Sequence, residues 1–432
     1  MKKISALLIS FLIMNCGSAN KGVQETTTDI QTGKIGLRLL KEEVRKNPND
    51  PQVLFRLGLA YAEMDSLDFA FTYYDSALYY NPSFARAMYE RGNLLLKKNR
   101  IKEGYSQYLE VLQNDRGEDY SSEIAGRLGL PYPIHQLTKG DYNNAFGYYS
   151  PLGDRIVFQS DRDGNWEIYL MDEKGIQDVR LTHDLAHEEM PVFASDSKGI
   201  AFTSTREDSG HLDRVDMTRN IYYMDIVGNQ QARIVESLFD DWYPAFTNKK
   251  NEIVFVSETD DPREINFDEK LSDIYLRDLN SGTTFRLTQN EADDGSPSVS
   301  RNGKWILFNS NRSGTFQIHR MDKKGTLVEQ LTFLEGNCGG PHFSHNGKKI
   351  VFFAELNNNY DIYIMTATGQ KLTKLTCHPA QDAYPCFSPD GKRIIFHSNR
   401  SGKFQIYWID LMNPFNHEEV VKQLEKKIAL LR

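Results

Sequence analysis

An isoleucine followed two residues later by a phenylalanine recurs six times: Ile156/Phe158, Ile200/Phe202, Ile253/Phe255, Ile306/Phe308, Ile350/Phe352 and Ile394/Phe396. The isoleucines are 44, 53, 53, 44 and 44 residues apart. Apolar residues at i and i+2, bounded by turn residues, predict short strands. The same parts return around each pair. A Leu-Thr strand (Leu181-Thr182, Leu287-Thr288, Leu331-Thr332, Leu375-Thr376) is followed nine residues later by Pro191, Pro297, Pro341 or Pro385. Ile234-Val235 and Pro244 fill these places in the third period. Asn302-Gly303, Asn346-Gly347 and Asp390-Gly391 precede the Ile-x-Phe strand and suit two-residue hairpins, because these residues tolerate positive φ. A third strand follows, as in Ile168-Tyr169 and Ile406-Tyr407. A period near 44 built from short strands predicts a β-propeller, one blade per period.

Residues 142–412 hold six inner sets but five of the strands that end a blade. The sixth, Ile134 to Thr138, precedes the first set. It is expected to pair with the last blade and close the ring, since an open edge strand invites aggregation. The expected fold is multidomain: all-α helical repeats, then an all-β six-bladed propeller (134–412) closed by an N-terminal outer strand.

Over residues 34–116 the apolar spacing becomes helical. Leu54, Leu57, Gly58, Tyr61, Ala70, Tyr74, Ala77 and Pro82 resemble the tetratricopeptide pattern of 34 residues at its key positions. Gly92 and Pro48 repeat two of these at the same interval, giving about two and a half repeats where three are wanted. The segment is therefore expected to pack on the propeller or on a partner. The resemblance implies an inner groove lined by Gln52, Phe55, Leu59, Arg86, Tyr89 and Asn93. Its role is peptide binding or that of a spacer.

At the N-terminus, Lys2 and Lys3 precede an apolar run from Ile4 to Met14, too short to span a bilayer comfortably. The run ends at Cys16. Residues 1–16 resemble a bacterial lipoprotein signal whose cysteine is lipidated, although Asn15 stands where Gly or Ala is usual. The alternative is an ordinary secretory signal. Residues 17–33 are rich in Gly, Ser, Thr, Asn and Gln and predict a flexible tether. Gly17 in place of Asp implies, by the same resemblance, the outer membrane, facing the periplasm. Residues 117–133 read as a linker. Residues 413–432 read as an amphipathic helix with an apolar stripe of Val420, Leu424, Ile428 and Leu431, expected to pack on the body of the protein.

The run from Pro385 to Phe396, with Ser398-Asn399-Arg400-Ser401-Gly402, resembles the WD-like repeats of TolB-type six-bladed propellers. That resemblance implies the fold over 134–412. It implies little about function, because such propellers serve scaffolds and enzymes alike. A formal charge of −8 argues against nucleic acid, whose phosphates demand clustered Lys and Arg.

Three residues before each Pro position, with Gly147 in that place in the first set, stand Asn144, Glu188, Asp241, Asp294, Cys338 and Asp382. The extra residues of the two 53-residue periods fall in second-to-third-strand loops on the same face. One of these, from Glu258 to Asp273, carries seven acidic residues. The pattern predicts an acidic binding face around the channel mouth for a basic peptide, a protein partner or a cation. Arg162, Arg206, Arg312 and Arg400 recur in adjacent loops, so internal pairing is the structural alternative.

Catalytic motifs fail on context. Gly336-Asn337-Cys338-Gly339-Gly340 matches a nucleophile elbow in spelling but lies between strands, not on a strand-to-helix turn. His187-Glu188 lacks the second histidine of a zinc-protease helix, which Pro191 precludes. Without a CxxC pair no zinc site is suggested, and Cys377–Cys386 is the nearest pair for a disulfide. Peptidases with such propellers carry a hydrolase domain, for which the residues after 412 leave no room. The expected protein is a non-enzymatic, lipid-anchored envelope scaffold with no cofactor or metal. It binds protein or peptide partners through the propeller face and helical groove. The alternative is a propeller enzyme, or a carbohydrate- or metal-binding receptor using the central channel.

Overall fold

The structure, a computed structural model, describes residues 33–128, 132–207, 218–237, 239–260, 271–356 and 358–431. Cys16, the tether through residue 32 and most of the acidic insertion between Glu258 and Asp273 lie outside those residues. The chain forms two units. One runs to Ile124 and includes Asn416–Arg432; the other is Ala125–Phe415.

Five helices open the first unit: α1 (Gly33–Lys46), α2 (Pro51–Glu63), α3 (Leu67–Tyr80), α4 (Ala85–Lys97) and α5 (Ile101–Leu112). Asp50 caps α2 by accepting from the Gln52 and Val53 amides. The hairpins α2–α3 and α4–α5 each seat a buried tyrosine ring against a glycine. A Cβ on Gly58 would stand 2.7 Å from the Tyr74 ring, and one on Gly92 would stand 2.8 Å from Tyr108. The segment read as a linker holds a 3₁₀ turn (Gly117–Tyr120) and a short helix, α6 (Ser121–Arg127). The last helix, α7 (His417–Leu430), returns to this unit and packs on α5, burying Val420 and Leu424. Asn416 and Glu419 form its capping box, and Ser121 Oγ lies 2.9 Å from His417 Nδ1. The far end of the chain thus covers the face that the hairpins alone leave open.

The second unit is a six-bladed propeller of four-stranded antiparallel sheets. The inner strands are Asn144–Tyr149, Glu188–Phe193, Asp241–Phe246, Asp294–Val299, Cys338–Phe343 and Asp382–Phe387, and each neighbours the next around the ring. Strand Ile134–Gln136 is the outermost strand of the last blade, in register Ile134↔Ile409 and Gln136↔Tyr407. Its threonine completes the seal. Thr182, Thr288, Thr332 and Thr376 each accept a third-strand amide through Oγ1, at 2.8–2.9 Å. Thr138 does this for Ile406 at 2.8 Å, from the opposite end of the unit's sequence. The core lies between blades. The six isoleucines are fully buried, and Phe158, Phe202, Phe255, Phe352 and Phe396 pack against third-strand tyrosines.

Candidate functional site

The six residues expected to present an acidic face are instead interior. Asn144, Glu188, Asp241, Asp294 and Asp382 are 0% exposed and Cys338 is 1% exposed. Each begins an inner strand, where the blade closes over it. Arg206 donates to Glu188 at 2.8 Å, and Arg312 and Arg400 hold Asp294 and Asp382 in two-oxygen contacts of 2.7–3.0 Å. Arg162 donates to Asn144 at 3.1 Å. Asp241 accepts from Ser237 at 2.7 Å, and Cys338 Sγ lies 3.8 Å from Gln317 Oε1. The arginines also lie over third-strand aromatics: Arg162 over Tyr169, Arg206 over Tyr222 and Arg400 over Tyr407, at 4.3–4.9 Å. Carboxylate, arginine and ring form a staple in the second and sixth blades, and Asp294, Arg312 and Phe308 form a similar one in the fourth. Formal charge counts around the mouth therefore overstate its field. Burial lifts Glu188 to about 8 and Asp241 to about 6, against the pull of Arg206 in the first case and hydroxyl donors in the second.

The channel wall is built two and four residues further along each inner strand. Every inner strand is bulged there, as between Ala145 and Tyr148. Its third residue has positive φ: Phe146, Met190, Tyr243, Ser296, Gly340 and Tyr384, between 46° and 53°. Five of these are not glycine, and a proline follows in every blade but the first. Left-handed backbone at a residue with a Cβ costs about 1 kcal/mol or more. A proline after it disfavours the right-handed helical region at that residue and removes a donor that an inner edge strand does not need. Side chains of the preceding blade support the bulge: Met190 N donates to Gln159 at 2.8 Å, and Phe146 N to His397 at 3.2 Å.

The third to fifth residues line a space of about 100 Å³, partly open to solvent. Among the described residues no Asp, Glu, Lys or Arg lines it. Tyr243 and Tyr384 bond hydroxyl to hydroxyl across it. One tier further along, His342 Nε2 lies 3.4 Å from the Tyr148 hydroxyl and 3.7 Å from Cys386 Sγ, while its Nδ1 accepts from the Phe387 amide. Burial keeps these groups neutral. His342 is pushed down to about 4 and His397 to about 3, Cys386 up to about 12, and Tyr148, Tyr243 and Tyr384 above the usual phenol range. Cys338, the centre of the elbow-like motif, is also lifted to about 12 by burial. No thiolate or imidazolium is available here near neutral pH. Among the described residues Cys338 and Cys386 are free thiols, and Cys377 Sγ contacts the Leu128 carbonyl rather than Cys386. No cluster of His, Cys, Asp or Glu among those residues is arranged to hold a metal.

In the helical unit the expected groove divides. Gln52 and Arg86 are exposed, and Leu59 and Asn93 are half-buried. Phe55 and Tyr89 are buried in aromatic packing: Phe55 with Tyr74 and Phe84, Tyr89 with Tyr108 and Tyr120. Those two rings belong to the core, not to a groove wall. Asn93 accepts from the Tyr108 hydroxyl and so also serves the packing.

A neutral, aromatic channel at the centre of six blades defines the class: a six-bladed β-propeller with its candidate site on the axis. Residues 328–420, which span the last two blades, match the family model of the TolB beta propeller domain. The chain is 42% identical over 64 residues to the uncharacterized protein Atu1656 of Agrobacterium fabrum, covering 15% of this chain and 22% of that protein. It is 23% identical over 239 residues to the uncharacterized peptidase YuxL of Bacillus subtilis, covering 55% of this chain and 29% of that protein. The chain thus spans less than a third of either relative. It is also similar to the solved putative TolB from Agrobacterium tumefaciens, at 19% identity and a TM-score of 0.47, covering 64% of this chain and 96% of that one.

Proposed function

We infer that this protein is a non-catalytic binding scaffold of the bacterial cell envelope, whose propeller takes its ligand in the central channel. The observation that carries this reading is the channel wall: six left-handed positions, five of them non-glycine and five followed by proline, converge on a space whose titratable side chains are all held neutral. Acid–base or nucleophilic catalysis near neutral pH needs a group poised to gain or lose a proton there, and His342 and Cys386 are displaced in opposite directions from that range. The helical unit supplies a second, protein-facing surface through Gln52 and Arg86, in the manner of tetratricopeptide repeats. Lipidation at Cys16 would hold the protein at the outer membrane; no described helix is long and apolar enough to cross a membrane.

The test is affinity capture from envelope extract, with bound protein and polysaccharide both assayed. Ala245 is a small, half-buried side chain in the channel. Ala245→Phe is expected to fill the channel and abolish capture of the propeller's ligand without lowering Tm by more than a few degrees. Capture equal to wild type by a folded Ala245→Phe variant would refute channel binding.

A further inference from the structure

The channel is closed across its axis. Tyr243 belongs to the third blade and Tyr384 to the sixth, so they stand on opposite sides of the ring. Their rings stack at 5.9 Å between centroids and their hydroxyls bond directly. Ser296, in the fourth blade, hydrogen-bonds to both hydroxyls. Phe146 lies 4.3 Å and Phe353 5.1 Å from the Tyr384 ring, centroid to centroid. A ligand that enters to this depth must part the two tyrosines.

We propose that Tyr243 and Tyr384 form a gate that a neutral saccharide opens, its hydroxyls replacing the tyrosine–tyrosine bond and its C–H face lying on Phe146 or Phe353. The inference rests on the channel being the binding site. The ligand class follows from what each alternative leaves unsatisfied. An apolar wedge would break the hydroxyl–hydroxyl bond and leave Tyr243 and Tyr384 only Ser296 to share, so that a buried hydroxyl loses a partner, at about 1–3 kcal/mol. A charged group would be desolvated against a lining that includes no counter-charge, the nearby Arg219 being paired with Asp240 and Glu189. A polyhydroxylated neutral ring donates and accepts on its edge and is apolar on its face, so it satisfies the tyrosine and serine hydroxyls while stacking on the rings.

The experiment is saturation-transfer NMR and calorimetry on the full-length protein. The probes are neutral saccharides (maltose, chitobiose, methyl glucoside), their charged relatives glucuronate and glucosamine, and p-cresol as the apolar ring. Binding is expected from at least one neutral saccharide and not from the charged sugars. The double variant Tyr243→Phe/Tyr384→Phe, which keeps the rings, is expected to weaken that binding at least tenfold. Silence across all three neutral saccharides overturns the proposal, as does saccharide binding unchanged in the double variant. Binding of p-cresol or a charged sugar alone, lost in Ala245→Phe, overturns the saccharide gate and leaves channel binding standing. Saccharide binding that persists in a folded Ala245→Phe variant removes both.

Discussion

At the scale of single residues, three of the four carboxylates that look like a binding ring in the sequence, Glu188, Asp294 and Asp382, are pinned by arginines inside their blades. Glu188 shows what this costs. Its carboxyl ionises near 4.5 in an unfolded chain and near 8 in the folded one, because burial outweighs Arg206. The folded state therefore binds the extra proton, and the stability this contributes is complete below about pH 4.5 and lost as pH rises through about 8. Glu188→Gln removes the titration. Melting temperatures measured between about pH 5 and pH 8.5 should fall more steeply for wild type than for the variant, and parallel curves would contradict the assignment. Arg400→Ala leaves Asp382 buried without its cation and should lower stability by about 3 kcal/mol in urea unfolding. The positions of these carboxylates were legible in the sequence. Their burial was not, because it is set by the way each blade closes over the first residue of its inner strand. The channel residues were missed for a related reason. The proline ladder was visible as a register mark. Yet a left-handed Tyr384 or Met190 is imposed by the bulge and the neighbouring blade, and nothing in local propensity favours it. The available signal was proline inside an apolar strand, which marks an edge or a bulge.

At the scale of elements, short-range chemistry made the plan readable. Asn-Gly and Asp-Gly turns, Ile-x-Phe strands and the displaced Leu137-Thr138 place each blade and the seam. The seam now has its mechanism: three paired residues, and a threonine hydroxyl that accepts Ile406 N–H while donating to Gln405 at 2.9 Å. Deleting residues 134–138 should unseal the last blade and lower the propeller's melting transition well below that of the intact chain. A truncation that melts like the intact protein would contradict closure. The tail helix was legible as amphipathic, but its seat on α5 was not, because no spacing rule links residues three hundred apart. Truncation after Phe415 exposes the apolar surface that Val420 and Leu424 cover. Hydrogen exchange should then accelerate in α4 and α5 while the slowest propeller amides stay protected. Equal acceleration in both units would contradict a local role for α7.

At the scale of the whole molecule, the proposed function gives each of the two units its own binding surface. Buried charge is paired inside the blades, and among the described residues the axis is left to hydroxyls, aromatic faces and the neutral imidazole of His342. The most direct measurement of this division is a side-by-side capture experiment with folded Ala245→Phe and Asp294→Asn variants, at a temperature where both retain wild-type circular dichroism. The expected result is loss of the propeller's ligand from Ala245→Phe and full capture by Asp294→Asn, which melts earlier because its staple is weakened. Full capture by Ala245→Phe together with loss from Asp294→Asn would place recognition on the acidic ring and contradict the neutral channel.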